Sequence, residues 1–251
     1  MRLARIRPAA VVDHVFASLA AARGGWIITA NLDFLRRFAL DPEMRALYDR
    51  ADLRVADGMP LIWASWLQGD ALPERVPGSA LIWTLAGRAA ESGRSLYLLG
   101  GDRGTALGAK HELLRRWPAL RIVGTSEPRV SSPPTPDEIA KLRAEVTAAA
   151  PDLLLVGFGS PKQEQAIAAL RSELPGAWMV GVGISFSFIA GRLKRAPRWV
   201  QALGLEWVHR LWQEPGRLAR RYLIDDVPFA FRLLGHALRV RYRRMTTGAR
   251  S

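Results

Sequence analysis

The chain contains no cysteine in 251 residues. Disulfides, thiolate metal sites and a thiol nucleophile are therefore excluded. Long apolar runs are missing as well. The stretch from Trp178 to Gly191 carries no charge but includes three glycines, and it falls short of the roughly 20 apolar residues that a spanning helix needs. Arg2, Arg5 and Arg7 stand near the start, but Asp13 and His14 interrupt the residues beyond them, so no secretory apolar region forms. These absences point to the cytoplasm as the working compartment. No Gly-x-Gly-x-x-Gly turn comes after the first apolar run, which counts against a dinucleotide-binding sheet.

What is present suits a globular protein. The hydrophobic fraction is 49% and the mean hydropathy is +0.01, values of neither a disordered nor an integral membrane chain. The length fits one substantial core, or a core with an appendage. The net charge of +13 is unevenly placed. Residues 192–251 hold 14 Lys and Arg against 4 Asp and Glu, which leaves only +3 for the rest. A basic tail of this kind implies an anionic partner, either nucleic acid or an acidic membrane surface.

Along residues 1–191 short apolar runs alternate with amphipathic ones. Trp26–Thr29, Leu53–Ala56, Ser95–Leu99, Arg121–Gly124, Leu153–Gly157 and Trp178–Gly181 are predicted strands. Asp41 before Pro42 reads as a helix start, Ser79 and Gly93 bracket another helix, and Thr135 with Glu138 forms a capping box. Ser131–Pro136 reads as an exposed loop. Strands separated by helices predict an α/β fold, a mostly parallel sheet with helices on both faces. After Gly191 the texture changes to helical segments rich in Trp, Leu and Arg, at Trp199–Trp212, Gly216–Leu223 and Phe229–Arg244. The boundary thus separates a domain at 1–191 from an appendage at 192–251.

In a doubly wound sheet ligands bind beyond the carboxyl ends of the strands. Thr29 and Asn31 stand at the end of the first strand, Asp57 and Gly58 after the second, and Gly100, Gly101 and Asp102 after the third. Gly159 and Ser160 precede a helix at Pro161. Glycines there admit a phosphate to backbone amides, and a helix N-terminus favours its charge. Each signal also has a bland explanation. Asp-Gly is commonly a turn, and Gly100-Gly101 can be a simple strand-to-helix turn. Ser160, Pro161 and Gln163 make a plausible N-cap and capping box; alternatively Lys162 and Gln163 face a ligand.

Five segments in order carry a family resemblance: Thr29-Ala30-Asn31, Ala56-Asp57-Gly58, Glu74-Arg75-Val76-Pro77-Gly78, Gly157 to Glu164, and Arg195-Ala196-Pro197 with Gly204-Leu205-Glu206-Trp207. Together, spanning roughly Trp26 to Tyr222, they resemble the WecG/TagA/CpsF family, glycosyltransferase family 26. Its members include N-acetylmannosaminyltransferases of teichoic-acid linkage-unit and enterobacterial common-antigen synthesis. The resemblance implies a modified Rossmann-like α/β/α sandwich and an inverting transfer from a UDP-sugar to an undecaprenyl-diphosphate-linked sugar, with no metal or other cofactor. It casts Asp57 as general base, Thr29 and Asn31 as polar pocket residues, and Arg75 and Gln163 as substrate-binding groups. The absence of an Asp-x-Asp triplet agrees with metal independence. Without a metal, the leaving diphosphate needs Arg75, helix N-termini and arginines or lysines of the tail. One departure stands out: Ser187 occupies a place where many relatives carry aspartate. The donor is therefore open between N-acetylmannosamine, glucose and another hexose.

In the tail, Trp199, Trp207 and Trp212 interleave with Arg210, Arg217, Arg220 and Arg221. That pattern suits a membrane interface better than a merely solvated basic face. The expected partners are the UDP-sugar, the lipid-linked acceptor and the anionic inner face of a bacterial cell membrane, with a homo-oligomer left open. Two other readings compete. A non-catalytic nucleic-acid-binding protein accounts for the charge, though no reading module is recognised. A nicotinamide-dependent oxidoreductase lacks its glycine turn.

Overall fold

The computed structural model describes residues 1–248, with the side chains of Arg198, Ala202, Arg217 and Thr247 outside the described set. Strands β1 (Gly25–Ala30), β2 (Leu53–Ala56), β3 (Ser95–Gly100), β4 (Arg121–Ser126), β5 (Leu153–Gly157) and β6 (Trp178–Gly181) are the six apolar runs. They form one sheet in the order β2-β1-β6-β5-β3-β4, and every neighbouring pair is parallel. The inner strands β1, β6, β5 and β3 are buried along their whole length. Continuous apolar runs are what a sheet covered on both faces requires.

Strand order decides which helices cover which face. The steps β1 to β2, β4 to β5 and β5 to β6 run one way across the sheet, and β2 to β3 and β3 to β4 run the other. Right-handed crossovers therefore send the two sets of helices to opposite faces. On one face α1 (Pro8–Ala20), α5 (Gly78–Ser92), α6 (Thr105–Arg116) and α9 (Ser185–Ile189) pack around Val15, Leu85, Leu98 and Trp178. On the other, α2 (Leu32–Leu40), α3 (Pro42–Asp49), α7 (Pro136–Ala149) and α8 (Lys162–Leu170) enclose Trp26, Tyr48, Leu99 and Met179, joined by Leu61 and Ile62 of α4 (Met59–Gln68). Trp26 and Ile27 lie in different cores, as do Trp178 and Met179, because side chains alternate along a strand.

Two helix starts match the expectations. Asp41 accepts hydrogen bonds from the Glu43 and Met44 N–H groups, and Thr135 with Glu138 forms the capping box of α7. Two do not. α5 begins at Gly78, behind Pro77, so Ser79 lies inside its first turn. Ser160 does not cap α8; Pro161 holds that position, and Gln163 reaches elsewhere.

Beyond Gly191 the described chain is helical. The single helix expected over Trp199–Trp212 is two, α10 (Arg198–Ala202) and α11 (Glu206–Gln213), divided by Gly204 at φ 73°. A side chain at Gly204 would meet Met59 and Trp63 at 2.9 Å, so close packing on α4 and a left-handed backbone both demand glycine. α12 (Pro215–Ala219), a π-helical segment at Arg220–Asp226 and α13 (Val227–Gly248) continue without a break, where two separate helices were expected. α13 packs along α4. A buried charge network ties the π-helical segment to α2. Asp33, 1% exposed, meets Arg36 at 2.6 Å, Arg37 at 3.1 Å and Arg221 at 3.6 Å. Asp226 meets Arg36 at 3.2 Å and Arg221 at 3.6 Å. Among the described residues no helix is long and apolar enough to cross a membrane.

Candidate functional site

Loops leaving β1, β4 and β5 feed helices on one face and those leaving β3 and β6 feed the other, while the loop leaving β2 feeds α4 on the first face before α5 crosses to the second. A sheet wound in both directions binds ligands at its carboxyl edge. Asp57 stands at the end of β2, its N–H donating to the Ala30 carbonyl of β1 at 2.7 Å. Its carboxylate accepts a hydrogen bond from the Gly78 N–H, which is the first residue of α5. The carboxylate thus meets the positive end of a 15-residue helix. The approach is close: a Cβ on Gly78 would lie 3.1 Å from Thr29 Oγ1, so Thr29 would have to give by a few tenths of an ångström. Thr29, Gly78 and Asp57 are in this way drawn together by one close approach of α5 to β1.

Asn31 caps α2, its Oδ1 accepting from the Phe34 N–H at 3.2 Å. Arg75 donates through Nη1 to Glu206 Oε2 at 3.2 Å. Arg195 donates through Nε to the other oxygen, Oε1, at 3.4 Å. Glu206 opens α11, so the C-terminal helices reach this end of the sheet. Burial first, and then the Glu206 carboxylate, push the Asp57 pKa up to about 6; Arg75, the Gly78 N–H and Arg195 pull the other way. Asp57 keeps partial access to solvent.

The glycine turn after β3 does not offer an open anion cradle. Glu127 fills the N-terminus of α6, accepting from the N–H groups of Gly104 at 2.5 Å, Ala106 at 2.6 Å and Leu107 at 3.3 Å. Gly100 and Gly101, with φ of 92° and 91°, serve the turn itself. A Cβ on Gly100 would strike the Phe158 ring at 2.7 Å. Gly159, at φ 76°, faces open space.

Lys162 and Gln163 turn inward. Lys162 Nζ donates to the Val130 carbonyl at 3.0 Å. Gln163 is buried; its Oε1 accepts from the Gly183 N–H at 3.0 Å and its Nε2 donates to Glu164 Oε1 at 2.7 Å. Both ends of that amide are engaged, and the Oε1 end holds the loop after β6. Glu164 is itself buried, with Oε2 unpartnered among the described residues, and burial raises its pKa to about 7. Ser187 is buried in α9, so this chain has no carboxylate at that place.

The tail arginines divide. Arg221 is committed to Asp33 and Asp226 and lies over the Tyr222 ring at 5.4 Å. Arg220 is exposed, Arg210 has a buried Nε without a partner among the described residues, and the Arg217 side chain is outside the described set. The tail residues that stand against Asp57 are instead Arg195 and Glu206. Both fall in segments that carry the resemblance, but the abundance of arginine in the tail draws attention away from its few acids. Among the described residues no group of three or more His, Asp or Glu side chains is gathered as a metal site would need. A model of the glycosyl transferase WecG/TagA/CpsF family matches residues 1–243.

Proposed function

The chain belongs to the WecG/TagA/CpsF family of glycosyl transferases, and from that premise we propose that it moves a hexose from a UDP-sugar to an undecaprenyl-diphosphate-linked sugar in surface-polysaccharide synthesis. N-acetylmannosamine, glucose or a related hexose is the donor sugar. Transfer inverts the anomeric centre and uses no metal ion. The nucleic-acid-binding and oxidoreductase alternatives give way to this family assignment. The observation that carries the proposal is the Asp57 carboxylate, lifted in pKa at the start of α5 and flanked by Arg75 and Arg195.

In this reading Asp57 takes the proton from the acceptor hydroxyl while the hydroxyl oxygen bonds to the anomeric carbon. The bond from that carbon to the donor phosphate oxygen breaks, and its electron pair leaves with UDP. A carboxyl with pKa near 6 is ionised at neutral pH yet accepts a proton more readily than an ordinary aspartate. Arg75 answers the charge that develops on the diphosphate. Thr29 and Asn31 line the pocket for the sugar, and Gln163 acts through the loop it holds. Residues 192–251 form an appendage that keeps the enzyme on the inner face of the cell membrane. The test is a donor screen with purified protein and a lipid-diphosphate-sugar acceptor, run in EDTA. Asp57→Asn is expected to cut turnover about 100-fold or more while the protein stays folded. Near-normal turnover in the folded variant would remove Asp57 from the role, and dependence on added magnesium would overturn the metal-free step.

A further inference from the structure

Two guanidinium groups from separate segments converge on one carboxylate. Arg75 and Arg195 each spend a single N–H on Glu206, at 3.2 and 3.4 Å. Their remaining N–H groups make no hydrogen bond among the described residues. Charge-assisted contacts of this kind normally settle at about 2.7–2.9 Å, and arginine prefers to grip a carboxylate with both prongs. The side chains are also partly open to solvent, 19% for Arg75 and 27% for Arg195. The Glu127 carboxylate makes a useful contrast, since three backbone N–H groups hold it, two of them at 2.5 and 2.6 Å. One internal anion is fully seated; the other is loosely held by donors with capacity to spare.

We propose that Arg75 and Arg195 form a diphosphate seat, and that Glu206 occupies it as an exchangeable internal counter-ion until a substrate diphosphate arrives. Glu206 has somewhere to go, because it is the first residue of α11 and its side chain is 19% exposed to solvent. Two excess N–H forks suit the two phosphates of a diphosphate. The donor and the lipid-linked acceptor proposed above both carry that group, so the inference deepens that reading and rests on it for the identity of the ligand.

The experiment is calorimetric titration of the full chain at pH 8 and low salt. The probes are inorganic pyrophosphate, UDP for the donor and farnesyl diphosphate for the acceptor. Glu206→Gln is expected to bind pyrophosphate about three- to tenfold more tightly than the wild type, the scale of a partly exposed ion pair released from competition. UDP or farnesyl diphosphate gains likewise, and whichever gains names the source. Asp70→Asn removes the same charge from an exposed pair with Arg5 and is expected to gain less than about twofold. Adding Arg195→Gln to Glu206→Gln cancels the gain. Unchanged or weaker binding in Glu206→Gln overturns the proposal, as does an equal gain in Asp70→Asn, a gain that survives Arg195→Gln, or a gain confined to pyrophosphate. Circular dichroism checks folding, and Glu206→Asp supplies a second, charge-retaining variant whose shorter reach gives a smaller gain. If no UDP-sugar is transferred but the pyrophosphate gain and one organic diphosphate gain appear, the seat stands and the sugar-transfer reading falls.

Discussion

Burial and the Glu206 carboxylate raise the Asp57 pKa to about 6, against the pull of Arg75, Arg195 and the Gly78 N–H. If Asp57 is the base, kcat/KM rises with pH through a limb centred near 6, because only the ionised form accepts the proton. Glu206→Gln removes the like charge, so that limb moves to lower pH. A limb that stays in place in a folded variant would separate Glu206 from the protonation of Asp57. Glu164 offers a second test, of stability alone. Folded Glu164 keeps its proton up to about 7, whereas an ordinary glutamate releases it near 4.5. The folded state binds more protons between those values, so stability falls as pH rises through the window. Glu164→Gln escapes that loss and should be the more stable protein at pH 8, with the advantage shrinking toward pH 5; urea melts at both pH values decide it, and a pH-independent difference would refute the account. Asp57, Thr29 and Asn31 are legible in the sequence because each sits just where an apolar run ends. The partnership of Arg75 with Glu206 is not, since 131 positions separate them and only the folding back of the tail brings them together.

At the scale of elements, the strands are legible because burial on both faces leaves little room for polar residues. Helix starts are less so. Ser79 and Ser160 have the right chemistry for caps, but the approach of Gly78 to Thr29 and the bond from Gly183 to Gln163 set where those helices begin. Gly204 breaks a helix for the same kind of reason, contact with Met59 and Trp63. Three helix N-termini near the site are answered by the chain itself: α2 by Asn31, α5 by Asp57 and α6 by Glu127. If Glu127 is only a cap, Glu127→Ala lowers stability by about 1–2 kcal/mol in urea melts and leaves the KM for the UDP-sugar within about twofold. A large rise in KM without a loss of stability would make Glu127 a ligand of the substrate instead.

At the scale of the whole molecule, large apolar side chains crowd the surface of the C-terminal helices. Trp199, Trp212, Ile224, Phe231 and Tyr242 are each more than half exposed, among arginines such as Arg220, Arg232 and Arg239 that are exposed too. Exposed indoles beside cations suit the headgroup region of an anionic bilayer. Trp199 and Trp212 belong to neither core cluster, and replacing both by serine is expected to weaken co-sedimentation with anionic vesicles about tenfold with the fold unchanged. Undiminished binding would count against these two indoles as membrane anchors. Cutting the chain after Gly191 is a poorer test, because it strips α13 from α4 and takes Arg221 from the buried Asp33. The strand order has its own bearing on how such a molecule is made. β6 is the last strand among the described residues, yet it lies between β1 and β5. Until the ribosome has released Trp178–Gly181, the nascent sheet is two unjoined parts, β2-β1 and β5-β3-β4, each with a bare inner margin. Such margins invite mispairing with other chains. The late strand is the keystone: it alone pairs with β1 on one side and with β5 on the other.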